Sequence, residues 1–149
     1  MYNKFNLESI YEYQTFVPSN FPQDLADSIQ PFFYLDRKYY LLRVNFEKEL
    51  AVNFLLNKSK ISDGMELFFI NEAIDGYVGP YTKNILQSSN LSSSGQIRSN
   101  SILVEFSLPT SESPNIPIDK IIEYDKPNKL SRENNSKRNI YRQPNLKIL

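Results

Sequence analysis

From residue 32 to residue 124 the chain reads as short apolar and aromatic runs separated by polar turns roughly every ten residues, and that rhythm restricts the fold more than any other feature. In the first run, Tyr39-Tyr-Leu-Leu-Arg-Val-Asn-Phe, residues Tyr40, Leu42 and Val44 share one face, with Leu41 and Arg43 on the other. The charged triplet Glu47-Lys-Glu is expected to close this run in a turn. Ala51-Val-Asn-Phe-Leu-Leu-Asn follows, where Val52, Phe54 and Leu56 alternate, and then a polar turn carrying Ser62-Asp-Gly. Met65-Glu-Leu-Phe-Phe-Ile-Asn is the third strand, and Asp75-Gly76 is a tight-turn signal. Gly79-Pro-Tyr-Thr reads as a short extended piece, and residues 86–95 as a Ser/Asn-rich loop. Ile102-Leu-Val-Glu-Phe-Ser is the fourth strong strand, and residues 108–117 are a connection punctuated by proline. The last strand covers residues 118–124, with Ile118 and Ile122 expected on one face. Strands never alternate with long helical patterns, so a parallel sheet is not expected. The expected fold is all-β: an antiparallel sandwich, jelly-roll-like, over residues 32–124.

Both ends differ from this body. Residues 1–31 read as an irregular N-terminal extension that packs on the sheet. Leu7, Ile10, Tyr11 and Gln14 suit one helical face, Pro18, Pro22 and Pro31 break the segment, and residues 24–29 allow one short helical turn. Nine aromatics crowd this end: Tyr2, Phe5, Tyr11, Tyr13, Phe16, Phe21, Phe32, Phe33 and Tyr34. The expectation is that they plug the apolar face of the sheet; an exposed platform for sugar or peptide is the alternative. In residues 125–149 the apolar pattern collapses, which predicts a basic linker or disordered tail. Seven Lys/Arg stand there against Asp125 and Glu133, a net of +5, while residues 1–124 carry ten basic and fifteen acidic side chains, a net of −5. A mildly acidic body gives no reason to expect nucleic-acid binding. In the tail only Lys137 and Arg138 are adjacent, which favours a solvated linker over an anionic hook.

Composition removes several mechanisms. The chain has no His and no Cys, so Ser-His-Asp and Cys-His dyads, thiolate or histidine zinc sites and disulfides are all excluded. Its four glycines, Gly64, Gly76, Gly79 and Gly95, form no phosphate-cradling loop. A carboxylate pair among Glu66, Glu72, Asp75 and Glu105 would suit glycoside hydrolysis. Strand acids of this kind more often face water, and that is the expectation here. Asp63, Glu72 and Asp75 are the acids nearest a calcium site, but no calcium-loop motif joins them. No cofactor or metal is expected. No apolar stretch is long enough to span a bilayer, and the N-terminus lacks a signal-peptide pattern.

Residues 39–124 also resemble a known module. Ile61-Ser-Asp-Gly-Met-Glu-Leu-Phe-Phe-Ile-Asn, Gly79-Pro-Tyr-Thr-Lys-Asn and Ser101-Ile-Leu-Val-Glu-Phe-Ser-Leu-Pro follow in the order seen in the β domain ahead of the catalytic domain of secreted lysyl-endopeptidase-like (trypsin-like) serine peptidases of Bacteroidetes-type bacteria. Gly79-Pro-Tyr-Thr and the strand through Glu105 match most closely, and Ser62-Asp-Gly replaces the proline-bearing turn of that group. The resemblance implies a non-catalytic accessory or leader domain that assists folding, secretion or substrate placement, with a peptidase catalytic domain as its partner in cis or trans. It implies an extracellular or cell-surface location, with the cytoplasm as the alternative. A carbohydrate- or cell-surface-binding module is the competing function. No catalytic residue carries over, because no position matches one. The motif residues are Gly64, Gly79, Pro80, Thr82 and Glu105. Gly64 is expected to use a positive φ before its strand. Gly79-Pro80 should give a stiff entry to an edge piece. Glu105 is the lone charge of its strand and should meet water or a partner.

Overall fold

A computed structural model describes residues 10–88 and 92–124 and the backbone of residues 147–148. Its spine is strand β4, Arg37–Leu56, which joins the two runs expected to be separate strands. The Glu47-Lys-Glu triplet does not turn the chain back. It sits where β4 leaves its antiparallel partner β7, Ile97–Pro109: pairing runs from Arg37↔Pro109 to Asn45↔Ser101 and resumes at Leu50↔Ser99. The charged side chains are solvated by bulging β4 outward there, so a charge run that looked like a strand end is an irregularity inside one strand. The core-facing phase is unbroken across it: Tyr40, Leu42, Val44 and Phe46 before, Val52, Phe54 and Leu56 after, all buried.

The remaining strands are β1 (Tyr11–Gln14), β2 (Ser19–Asn20), β3 (Phe32–Tyr34), β5 (Glu66–Asn71), β6 (Gly76–Tyr81), β8 (Ile118–Glu123) and β9 (Lys147–Ile148). The fold is all-β and mostly antiparallel, as expected. Among the described residues the hydrogen bonds link all strands into one sheet of order β2-β8-β4-β7-β5-β6-β9. Opposite β7, the other edge of β4 receives β3, then β1, then β8. The sheet folds over at the β4 bulge: Phe54, past the bulge, meets Phe69 of β5 with ring centroids 4.7 Å apart, although their strands are not paired. The main core lies between the two halves, where Tyr40 stacks on Phe106 and Phe69 meets Tyr81 edge-on.

Several local expectations change. Of the helical face expected of Leu7, Ile10, Tyr11 and Gln14, Leu7 lies outside the described residues, and Tyr11 and Gln14 belong instead to β1, the parallel neighbour of β4 residues 42–45. Four residues cannot repay helix nucleation, whereas a ready strand edge supplies hydrogen bonds at once. The short turn expected at 24–29 is present as a 3-10 segment, Gln23–Ser28, which places Leu25 and Ala26 in the core. Of the N-terminal aromatics, Phe21 is buried and Tyr11 and Tyr13 pack against the core, while Phe16 and Phe33 are exposed. Tyr2 and Phe5 lie outside the described residues, as does the tail of residues 125–149 apart from the backbone of β9, which pairs with β6. In β8 a slip between Leu55 and Leu56 of β4 puts Ile118 and Ile121 on the core side, not Ile118 and Ile122.

Part of the stretch read as a loop is helix α1, Lys83–Ser88. Thr82 starts it: the Ile85 amide donates to Thr82 Oγ1 (3.2 Å) and the Leu86 amide to the Thr82 carbonyl (3.0 Å). One residue earlier, the Tyr81 hydroxyl donates to the Ser94 carbonyl at 3.0 Å, and burial pushes its pKa up to about 12. The folded state therefore holds this proton more tightly than the unfolded chain. Its stabilisation is full below pH ~10 and is lost as pH rises through about 12, amounting to about 3 kcal/mol. Tyr81→Phe is expected to cost about 1 kcal/mol at pH 7 and to flatten stability between pH 9 and 12 relative to wild type. Urea unfolding across that pH range checks this.

Candidate functional site

The motif residues singled out by sequence fall into two groups. Gly79, Pro80 and Thr82 end β6 and launch α1, and Gly79 adopts φ +119° against the β5 backbone. Gly64 and Glu105 lie beside the outer face of the sheet, the face turned away from the main core. Gly64 has no positive φ, contrary to expectation; a side chain there would instead meet the Pro109 ring at 2.6 Å, so glycine is needed for close approach. Its carbonyl accepts from Arg37 Nη2 at 2.9 Å, and the same nitrogen donates to Ser107 Oγ at 2.9 Å.

Glu105 does not face water. It sits in β7 between Leu41 and Phe68 and is only 3% exposed. Burial raises the pKa of neighbouring Tyr39, and the carboxylates of Glu105 and Glu66 add to that rise, while Arg37 opposes it. Sequence alternation thus brought Glu66 and Glu105 to one face with Arg37, Tyr39 and Ser107. An apolar cap of Ile10, Leu41, Ile70 and Leu103, with Phe32, Phe68 and Tyr77 against it, adjoins them.

Further along this face Arg43 gathers acids. Its Nε and Nη2 donate to Glu72 at 2.9 and 3.1 Å, and its Nη1 donates to Glu12. Asn45 donates to Glu12 at 3.0 Å and accepts from Ser101 at 3.1 Å. The hydrogen bonds that Arg43 donates to Glu72 hold the guanidinium more firmly protonated than usual. This fork ties β1, β4 and the turn after β5 together, which is a structural task. It also engages Glu72, one of the acids considered for hydrolysis and for calcium. Asp63 accepts from Lys83 at 2.9 Å, and Asp75 occupies a left-handed turn position with φ +51° before Gly76. Among the described residues no group of three or more Asp or Glu side chains is placed to hold a metal. No helix among them is long and apolar enough to cross a membrane.

An open groove of about 600 Å³ lies at the β4 bulge, lined by Gln14, Thr15, Phe16, Val17, Phe46, Glu47, Lys48, Leu50 and Glu123. It forms because, among the described residues, β4 loses both neighbours on one edge. Its pairing with β1 ends at Gln14↔Asn45, with one more bond from the Thr15 amide to the Asn45 carbonyl (3.0 Å). Pairing with β8 begins at Val52↔Glu123, preceded by the Tyr124 amide on the Ala51 carbonyl (2.8 Å). Between them the chain leaving β1 swings outward through Phe16, Val17 and Pro18 to become β2 on the far side of β8. Phe46 is buried in the core side of the groove, and Phe16 stands 76% exposed beside it. Sequence reading did not identify this site. The available signal was the unbroken phase of Val44, Phe46 and Val52 across a charged triplet, which marks a strand that bulges and does not end.

Comparison with protein-family models, curated proteins and solved structures gave no match.

Proposed function

We propose that this chain is a non-catalytic accessory domain that acts by contact, and that the groove beside β4 is its contact site. The observation carrying this reading is the groove itself, whose volume of about 600 Å³ suits a small ligand or a few residues of a partner chain. An apolar wall of Val17, Phe46 and Leu50 with charged side chains at its margin is the usual make-up of such a site. The lack of His and Cys supports the non-catalytic half of the reading, as does the engagement of Glu12 and Glu72 by Arg43 and of Asp63 by Lys83. The resemblance of residues 39–124 supplies the partner class: a trypsin-like serine-peptidase catalytic domain, in cis or trans, in an extracellular setting. A second reading, a carbohydrate or cell-surface ligand, is favoured by Phe16, whose exposed ring at the groove offers a stacking surface.

The purified chain should not turn over lysine-containing peptide amides or aryl glycosides above the buffer rate. Turnover that follows the protein through purification would remove this reading.

A further inference from the structure

The proposed function leaves open which chemistry the groove recognises, and the inference here rests on that reading. We infer that the groove takes an extended peptide segment, held chiefly through its backbone as an added strand on β4. Three observations carry this. First, the edge of β4 opposite β7 is occupied in turn by β3, β1 and β8, yet none of them pairs with residues 46–50. That interval is five residues, roughly 16 Å of extended chain. Second, β4 departs from β7 over the same interval, since the pairing skips from Asn45 to Leu50. Among the described residues, the backbone of residues 46–49 therefore has no register partner on either edge. Backbone N–H and C=O groups call for partners, and a sheet edge is the surface to which an extended peptide adds. Third, the groove wall is mixed in chemistry: Phe46 and Leu50 offer apolar contact, and Glu47 and Lys48 are exposed between them, which suits a segment with both apolar and polar side chains. The groove carries two acids, Glu47 and Glu123, against one base, Lys48, a small acidic excess that sets at most a weak charge preference, so recognition should depend chiefly on the main chain.

The test uses the full chain, labelled with ¹⁵N, and three probes. They are a blocked hexapeptide of alternating threonine and valine, the same peptide N-methylated along one edge, and cellohexaose. The expected result is saturable shifts by the unmodified peptide at the amides of residues 46–51 and 15–17, with no binding by the N-methylated form. Phe16→Ala, at a residue too exposed to affect folding, should weaken the peptide about fivefold. Equal binding of the N-methylated peptide, or peptide shifts confined to other surfaces, would overturn strand addition. Shifts at the groove from cellohexaose alone would overturn the peptide inference and leave the groove as a ligand site. A groove silent to all three probes would overturn both.

Discussion

Gly79→Ala is expected to destabilise the protein by about 3–5 kcal/mol, read as a fall in the urea midpoint without a change in slope. Two costs add at this position. The backbone has φ +119°, which L side chains rarely adopt. A Cβ there would also stand 2.6 Å from the Leu67 carbonyl oxygen, and 3.1 and 3.2 Å from Phe68 Cδ1 and Cα. The obstructing groups are mostly backbone of the paired strand β5, which cannot swing aside as a flexible side chain could. Relief would require opening the β5–β6 ladder, whose register already shifts between Leu67 and Phe69. A loss below 1 kcal/mol would mean that the β6 backbone does not approach β5 this closely.

Phe54→Ala should cost a similar 3–5 kcal/mol, because it deletes a fully buried ring and leaves a cavity between the two halves of the sheet. The informative quantity is its coupling to Phe69. The rings are 4.7 Å apart and inclined at 36°, on strands that share no hydrogen bonds. A double-mutant cycle with Phe69→Ala should give a coupling of about 0.5–1.5 kcal/mol. Zero coupling would contradict the folding of the sheet at the β4 bulge, since only that fold brings the two residues together.

Much of this architecture was legible because side-chain alternation reports burial directly. Tyr40, Leu42 and Val44, and later Val52, Phe54 and Leu56, were assigned to faces correctly from period alone. What failed was punctuation. The Glu47-Lys-Glu triplet carries the charge expected of a turn, yet tertiary pairing carries the strand past it. Ile122 was placed by strict period two, and a register slip opposite Leu55 and Leu56 moved Ile121 into its place. The helix after Thr82 was hidden by the Ser/Asn-rich residues that follow, although a threonine ahead of Lys-Asn-Ile-Leu is an N-cap signal. The site was less legible than the fold. Glu105 is the one charge within residues 102–107, but β7 also takes in Arg98, and the burial of Glu105 depends on what lies over the sheet, which period does not encode. The groove is harder still, because it is defined by where β1 and β8 stop pairing, a property of three segments distant in sequence.

The claim that the groove is the contact site can be tested at the groove itself. The chain contains no cysteine, so Lys48→Cys provides a single attachment point for an environment-sensitive dye on the groove wall. The labelled protein would be titrated with the threonine-valine hexapeptide, with cellohexaose and with a catalytically silenced trypsin-like domain. The account predicts a saturable emission change with at least one of these, weakened by adding Phe16→Ala. No change with any of the three, or a change that Phe16→Ala leaves intact, would contradict it.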